Sequence, residues 1–301
     1  MEDPNKYAII DTETGELIKE LRSGDKIISK ERSEAFKKKL EAEKQTELIK
    51  RDKRRFSFGK MEKMKEVSKE LDSKKCGYIL RLLPYMERST GYLKRKDGKL
   101  MKSKTDLGNA LGVKKVSSRN SIIEALKTAS VLAQDENGFK LNPNVHINGA
   151  TNGKELIKLF NTTLEKLSKD LKPAELGYIY KLLPYVHYGT NLICSDPFEK
   201  NPEKLFFLNQ ASIGKLLGLE HKEVKAFITK LRKIGVIAEA LSERDTRNRK
   251  YYVNPYIFYR KKGFPDDTLK SMFKSSRYNP FKKGGEKVTF YTEIGGEKVT
   301  L

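Results

Sequence analysis

Two short polar runs hold the residues best suited to recognition chemistry. Lys114-Lys115 precedes Ser117-Ser118-Arg119-Asn120-Ser121, with Glu124 further along. His221-Lys222 precedes Lys225, Ala226, Thr229 and Lys230. Carboxamides and hydroxyls so placed can pair with base edges, and Asn120 is the best reader by type, because a carboxamide pairs bidentately with adenine. The lysines suit phosphates, which position a protein on a duplex without reading its sequence. A third run, Ser242 to Lys250, carries the four cations Arg244, Arg247, Arg249 and Lys250. Such a run suits the minor groove, whose negative potential attracts arginine. Read singly, each of these residues is also what the solvated face of an ordinary helix carries.

Other chemistry is poorly provided for. The three histidines, His146, His187 and His221, have no Cys, His or Asp partners at ligand spacing, and His146-Ile147-Asn148 lacks the second His of a metal-dependent nicking site. Gly149-Ala150-Thr151-Asn152-Gly153-Lys154-Glu155 is one residue short of a phosphate loop and ends in Glu where Ser or Thr is needed. Tyr85 and Tyr185 lie in apolar blocks and read as core residues, not nucleophiles. Cys76 and Cys194 are too few and too separate for a disulfide framework. No catalytic residue, metal site or cofactor is expected.

The elements that must position the two runs have their own signature. A helix-turn-helix needs a small residue where its helices cross, a glycine at the turn, and apolar anchors on both helices. Asp106-Leu107-Gly108-Asn109-Ala110-Leu111-Gly112-Val113 supplies these before the first run, and Ser212-Ile213-Gly214-Lys215-Leu216-Leu217-Gly218-Leu219, with Val224 and Phe227, around the second. Thr105 can cap the first helix, and Ser117 or Ser118 the second. The helix after the turn is then the one that enters the major groove.

The two signatures belong to a longer repeat. Gly77-Tyr78-Ile79-Leu80-Arg81-Leu82-Leu83-Pro84-Tyr85 returns as Gly177-Tyr178-Ile179-Tyr180-Lys181-Leu182-Leu183-Pro184-Tyr185, identical at seven of nine positions and offset by 100. The offset becomes 106 at the glycine pairs, 105 at Val131-Leu132-Ala133 against Val236-Ile237-Ala238, and 112 at Asn142-Pro143 against Asn254-Pro255. Such drift marks insertions in surface loops, and repetition at domain length marks a duplicated domain. Each copy reads helix, helix, strand, helix, helix, hairpin. The expected class is therefore mainly α with small β-hairpins (α+β): two tandem winged helix-turn-helix domains from an internal duplication. The first hairpin has the acidic tip Asp135-Glu136, which phosphates would repel, so the second copy is expected to grip with helix and wing, and the first with its helix or as a pairing domain.

The expected divisions are an N-terminal β-hairpin extension over 1–28, turning at Thr12-Glu13-Thr14-Gly15-Glu16, and a basic charged helix or linker over 29–55. The two winged-helix domains cover 56–149 and 150–263, and a basic C-terminal tail covers 264–301. The tail contains Gly-Gly-Glu-Lys-Val-Thr twice, at 284–289 and 295–300, and looks like a small strand pair. Over 301 residues the net charge is +22, with 34% charged against 37% hydrophobic residues. That excess points to a polyanion, nucleic acid first. No apolar run approaches the roughly 20 residues needed to span a bilayer, and Met1-Glu2-Asp3-Pro4 lacks a signal-peptide apolar region. A cytoplasmic protein is expected, with no membrane partner.

The helix-turn-helix, the wing, the closing Val253-Asn254-Pro255-Tyr256-Ile257-Phe258 and the Asp11-Thr12-Glu13-Thr14-Gly15-Glu16 hairpin resemble the MarR-like replication proteins of firmicute plasmids and phages. Two winged helices in one chain resemble the tandem-winged-helix initiators of iteron plasmids. The resemblance spans about 56–263. It implies a sequence-specific, non-catalytic replication initiator or control protein that binds double-stranded DNA, with self-dimers and host replication proteins as further partners. A transcription regulator (a winged-helix repressor) uses the same DNA chemistry, and a cooperative DNA-coating or segregation protein is a third reading.

Overall fold

The computed structural model describes residues 7–21, 29–51, 54–151, 153, 155–242, 245–282, 291–294 and 297–300. The chain mixes helix and strand and divides into two compact units, Met1–Asp52 and Lys53–Leu301. The first unit contains a hairpin of β1 (Tyr7–Ile10) and β2 (Leu17–Leu21) and one long helix, α1 (Lys30–Arg51). The Asp11 carboxylate accepts the N–H groups of Glu13 (2.8 Å) and Thr14 (3.1 Å), and Gly15 takes φ +72°, the left-handed conformation that glycine adopts at least cost.

In the second unit one order of elements occurs twice. The first run is β3 (Phe56–Lys60), α2 (Met61–Glu70), α3 (Ser73–Leu82), a 3-10 turn over Leu83–Tyr85, α4 (Lys104–Leu111), α5 (Val116–Thr128), β4 (Leu132–Asp135), β5 (Gly138–Leu141) and β6 (His146–Ile147). The second is β7 (Leu156–Phe160), α6 (Asn161–Asp170), α7 (Pro173–Leu182), a 3-10 turn over Leu183–Tyr185, α8 (Gln210–Leu217), α9 (His221–Lys233), β8 (Ile237–Ser242), β9 (Asp245–Val253) and β10 (Phe258–Tyr259). Pro84 and Pro184 convert each helix end into that turn, since their rings cannot continue the α pattern.

The expected caps fall elsewhere. Ser103, not Thr105, caps α4, because Asp106 returns the bond to the Ser103 N–H (3.1 Å) and closes a capping box. Helix α5 begins at Val116 with no side-chain cap, so Ser117 and Ser118 lie inside its first turn.

The two runs meet along a local twofold axis. β3 pairs antiparallel with β7 so that Phe58 opposes Lys158, its own counterpart one hundred residues on. On either side Phe56 opposes Phe160 and Lys60 opposes Leu156, which are symmetry mates. β6 extends the sheet beyond β3 and β10 beyond β7, giving the order β10-β7-β3-β6. Helices α3 and α7 cross at glycines: a Cβ on Gly77 would overlap the Pro173 carbonyl, and one on Gly177 the Ser73 carbonyl. Around them α2 packs on Leu183–Tyr185 and on α7, while α6 packs on Leu83–Tyr85 and on α3. The most repeated block of sequence is thus where the two runs join.

One apolar cluster fills both runs, including Met64, Ile79, Leu82, Leu107 and Leu126 with Leu164, Ile179, Leu182, Ile213 and Leu231. Buried His146 hydrogen-bonds across the join through Nε2 to Tyr180 Oη at 3.1 Å. Desolvation pushes its pKa down to about 4.

Residues beyond 263 include more than a basic tail. α10 (Asp267–Met272) adds Leu269 to a second cluster with Phe160, Tyr256, Tyr259 and Phe273. Tyr278 donates to Asp170 (2.6 Å), and Ser276 contacts Asn254 and Gly235 through its hydroxyl. A short hairpin of β11 (Tyr291–Ile294) and β12 (Glu297–Thr300) carries part of the second Gly-Gly-Glu-Lys-Val-Thr copy, whereas the first copy lies outside the described residues.

Candidate functional site

The helix pair α4–α5 is set by two glycines. A Cβ on Gly108 would lie 3.1 Å from the Val113 carbonyl and overlap the Arg119 stem, so a side chain here would displace that stem and press on the turn. Gly112 ends α4 at φ +70°, the left-handed cap that turns the chain sharply. The pair α8–α9 repeats this: a Cβ on Gly214 would lie 3.1 Å from the Leu219 carbonyl and 3.3 Å from Val224 Cγ1, and Gly218 sits at φ +67°. The backbone bonds Val113 N–H to Gly108 O (2.8 Å) and Leu219 N–H to Gly214 O (2.9 Å) close both turns alike. Each pair is followed by a fold-back hairpin, β4–β5 and β8–β9. A third extended segment lies beside each, bridged at Tyr92–Lys140 and at Leu192–Tyr252.

On α5 and the turn before it, Lys114, Lys115, Ser117, Ser118 and Ser121 are exposed. On α9, His221, Lys222, Lys225 and Thr229 are exposed. The side chains of the four lysines make no hydrogen bond or ion pair among the described residues, so their charges are uncommitted.

Other candidates are placed differently. Arg119 stands where Val224 stands in the second run, over the crossing glycine, with its stem packed on Gly108 and its Nε buried without a partner. It faces inward because the fourth position of this helix points at the glycine it crosses. Asn120 is half-buried and its Oδ1 is buried, which withdraws the acceptor that adenine pairing requires. Lys230 is held by the Glu175 carboxylate of α7 at 2.6 and 2.8 Å and serves as a tie between helices.

The β8–β9 hairpin is braced from below. Glu239, with only 6% of its side chain exposed, takes Arg232 of α9 at 2.6 Å and Arg249 of β9 at 2.5 Å. Glu239 therefore ties Arg249 of this hairpin to Arg232 of α9, and Lys250 lies 5.5 Å from the Phe207 ring centroid. Arg247 is placed only by its backbone, in β9, and Arg244 lies outside the described residues. In the β4–β5 hairpin Asp135 is consumed internally, by Lys140 (2.9 Å), Tyr92 Oη (2.7 Å) and the Asn137 N–H (2.9 Å), and these bonds hold its pKa down to about 2.

Sequence reasoning passed over Val116. It opens α5 and is 57% exposed, an apolar group on an otherwise polar face. Its misfit with the pattern around it is the signal that could have found it. Glu239 and Arg232 were also missed, since nothing local in the sequence joins a strand residue to a helix residue seven positions before it.

Among the described residues no cluster of three His, Cys, Asp or Glu side chains could hold a metal ion, and no helix is long and apolar enough to cross a membrane. No family model, curated protein or solved structure matches the chain.

Proposed function

We propose that the chain is a sequence-specific double-stranded DNA-binding protein of a plasmid or phage, built as two tandem winged helix-turn-helix domains from an internal duplication. It acts in the cytoplasm as a non-catalytic replication initiator or control protein, recruiting host replication proteins by contact. The observation that carries this reading is the double occurrence of one arrangement. In each run a glycine-crossed helix pair presents two uncommitted lysines at or just before the start of its second helix, and a fold-back hairpin follows, in a chain of net charge +22. A duplex offers acceptors for that face in its major groove and phosphates beside it. Helix α5 adds an N-terminus without a side-chain cap, whose N–H groups suit a phosphate oxygen.

The test is a footprint across the protein's own gene and flanks at about 150 mM salt, where nonspecific contacts weaken. Protection over a cluster of sites beside the gene supports an initiator, and protection confined to promoters makes it a transcription regulator. Uniform protection makes it a coating protein and ends the specific-site reading. Affinity should fall roughly 10³–10⁵-fold between 50 and 200 mM salt if six to ten phosphates are contacted.

A further inference from the structure

We infer that one chain reads two unlike half-sites in inverted orientation, so that a single molecule spans an imperfect palindrome. The inference deepens the double-stranded DNA reading above and rests on it.

The join between the runs is isologous: whenever one residue touches another, their counterparts touch in exchange. Phe58 opposes Lys158 on the axis, Phe56–Phe160 mirrors Lys60–Leu156, and Gly77 against Pro173 mirrors Gly177 against Ser73. The outer strands obey the same rule, Gly59–His146 matching Leu159–Phe258. Only a twofold rotation generates such a set. A head-to-tail arrangement would pair unlike surfaces and leave the mates unpaired.

The rotation carries the recognition helices with it. α4 packs on α3 and α5 on α4, just as α8 packs on α7 and α9 on α8. The operation that exchanges α3 with α7 therefore exchanges α5 with α9. Helices related by a twofold match sequences related by a twofold, on opposite strands. A direct repeat would need a translation, which this interface does not contain.

The half-sites must also differ. Counterpart positions on the two helices are Val116 and His221, Ser117 and Lys222, Asn120 and Lys225, Ser121 and Ala226, and Glu124 and Thr229. None is conserved between the runs, so the two helices cannot prefer the same bases. The wings differ too: strands of 4 and 4 residues in the first, 6 and 9 in the second.

The experiment is selection of bound duplexes from a random library by the full chain, with stoichiometry read by native mass spectrometry. The expected winners carry two unlike motifs on opposite strands, about one helical turn or a multiple apart, with one chain per duplex. Inverting one motif in place should weaken binding at least about tenfold, the cost of a single mismatched base pair. Ser117→Ala, which removes an exposed hydroxyl from α5 alone, should alter base preference in one motif only. Motifs on the same strand, or identical motifs each holding its own chain, would overturn the inference and leave DNA binding standing. No enriched sequence would overturn the specific-DNA reading itself.

Discussion

Replacing Gly77 or Gly177 with alanine tests the join directly. Alanine in a helix interior is worth about 1 kcal/mol over glycine, so propensity alone would stabilise either variant. The added methyl, however, overlaps the Pro173 or the Ser73 carbonyl. A backbone carbonyl on a buried helix cannot swing aside as a long side chain can. The helices must part by about 1 Å, and a gap of that size forfeits a quarter to a half of each contact it opens. The interface holds fully buried Leu80 and Tyr180, so the overpacking cost belongs near the top of the usual range, about 3 kcal/mol. The net loss is then about 2 kcal/mol for either variant, or about 4–8 °C in Tm for a unit of this size. Gly77 and Gly177 face each other, a Gly77 Cβ lying 3.0 Å from the Gly177 nitrogen, so one separation relieves both clashes. The double variant should therefore cost little more than either single one, a coupling of about 1 kcal/mol or more. Urea unfolding followed by circular dichroism measures all three. Variants as stable as the parent, clearly unequal single effects, or full additivity would refute the twofold crossing.

Three further outcomes are expected. His146 has a folded pKa of about 4, below the ordinary imidazole value of 6.5, so between those values only the unfolded chain takes up the proton. Its contribution is full above about pH 6.5 and is lost as pH falls toward 4, by about 3 kcal/mol in all. His146→Phe, which copies Phe258 at the equivalent position, should flatten that slope in pH-dependent urea titrations; an unchanged slope would place the titration elsewhere. Glu239→Gln should cost about 1–2 kcal/mol, less than a fully buried pair, because Arg232 and Arg249 are about half exposed and can turn to water. It should also speed amide exchange in β8 and β9 beyond that in β4 and β5, and equal exchange would refute the brace. Val116, if it covers a thymine methyl, should make the parent bind a uracil-substituted half-site about fourfold more weakly, the worth of one buried methyl at about 0.8 kcal/mol. Val116→Ala should show less of that difference, and a parent indifferent to uracil would remove Val116 from recognition.

The sequence alone carried the mixed class, the order of the helices and the crossing glycines, but not β3, β6, β7 and β10, whose sheet joins the runs. Hydrophobic period, proline and left-handed glycine act within a few residues, so Pro84 at the end of α3 and Gly112 at the end of α4 could be read where they stand. The offset of 100 also showed that the block at Gly77 recurs. What that block does was decided only in three dimensions. Gly77 meets Pro173 and Phe58 meets Lys158, contacts between residues about a hundred positions apart that no local pattern encodes. The site divided in the same way. Residue type made Arg119, Asn120, Lys230 and Arg249 candidates for contact with DNA, but charge and hydrogen-bonding capacity do not say which way a side chain points. Helix phase turned Arg119 over Gly108 and buried the Asn120 oxygen, while packing brought Glu175 to Lys230 and Glu239 to Arg249. The lysines that remained, Lys114, Lys115, Lys222 and Lys225, are those whose positions on or beside the helices face solvent and meet no acid among the described residues.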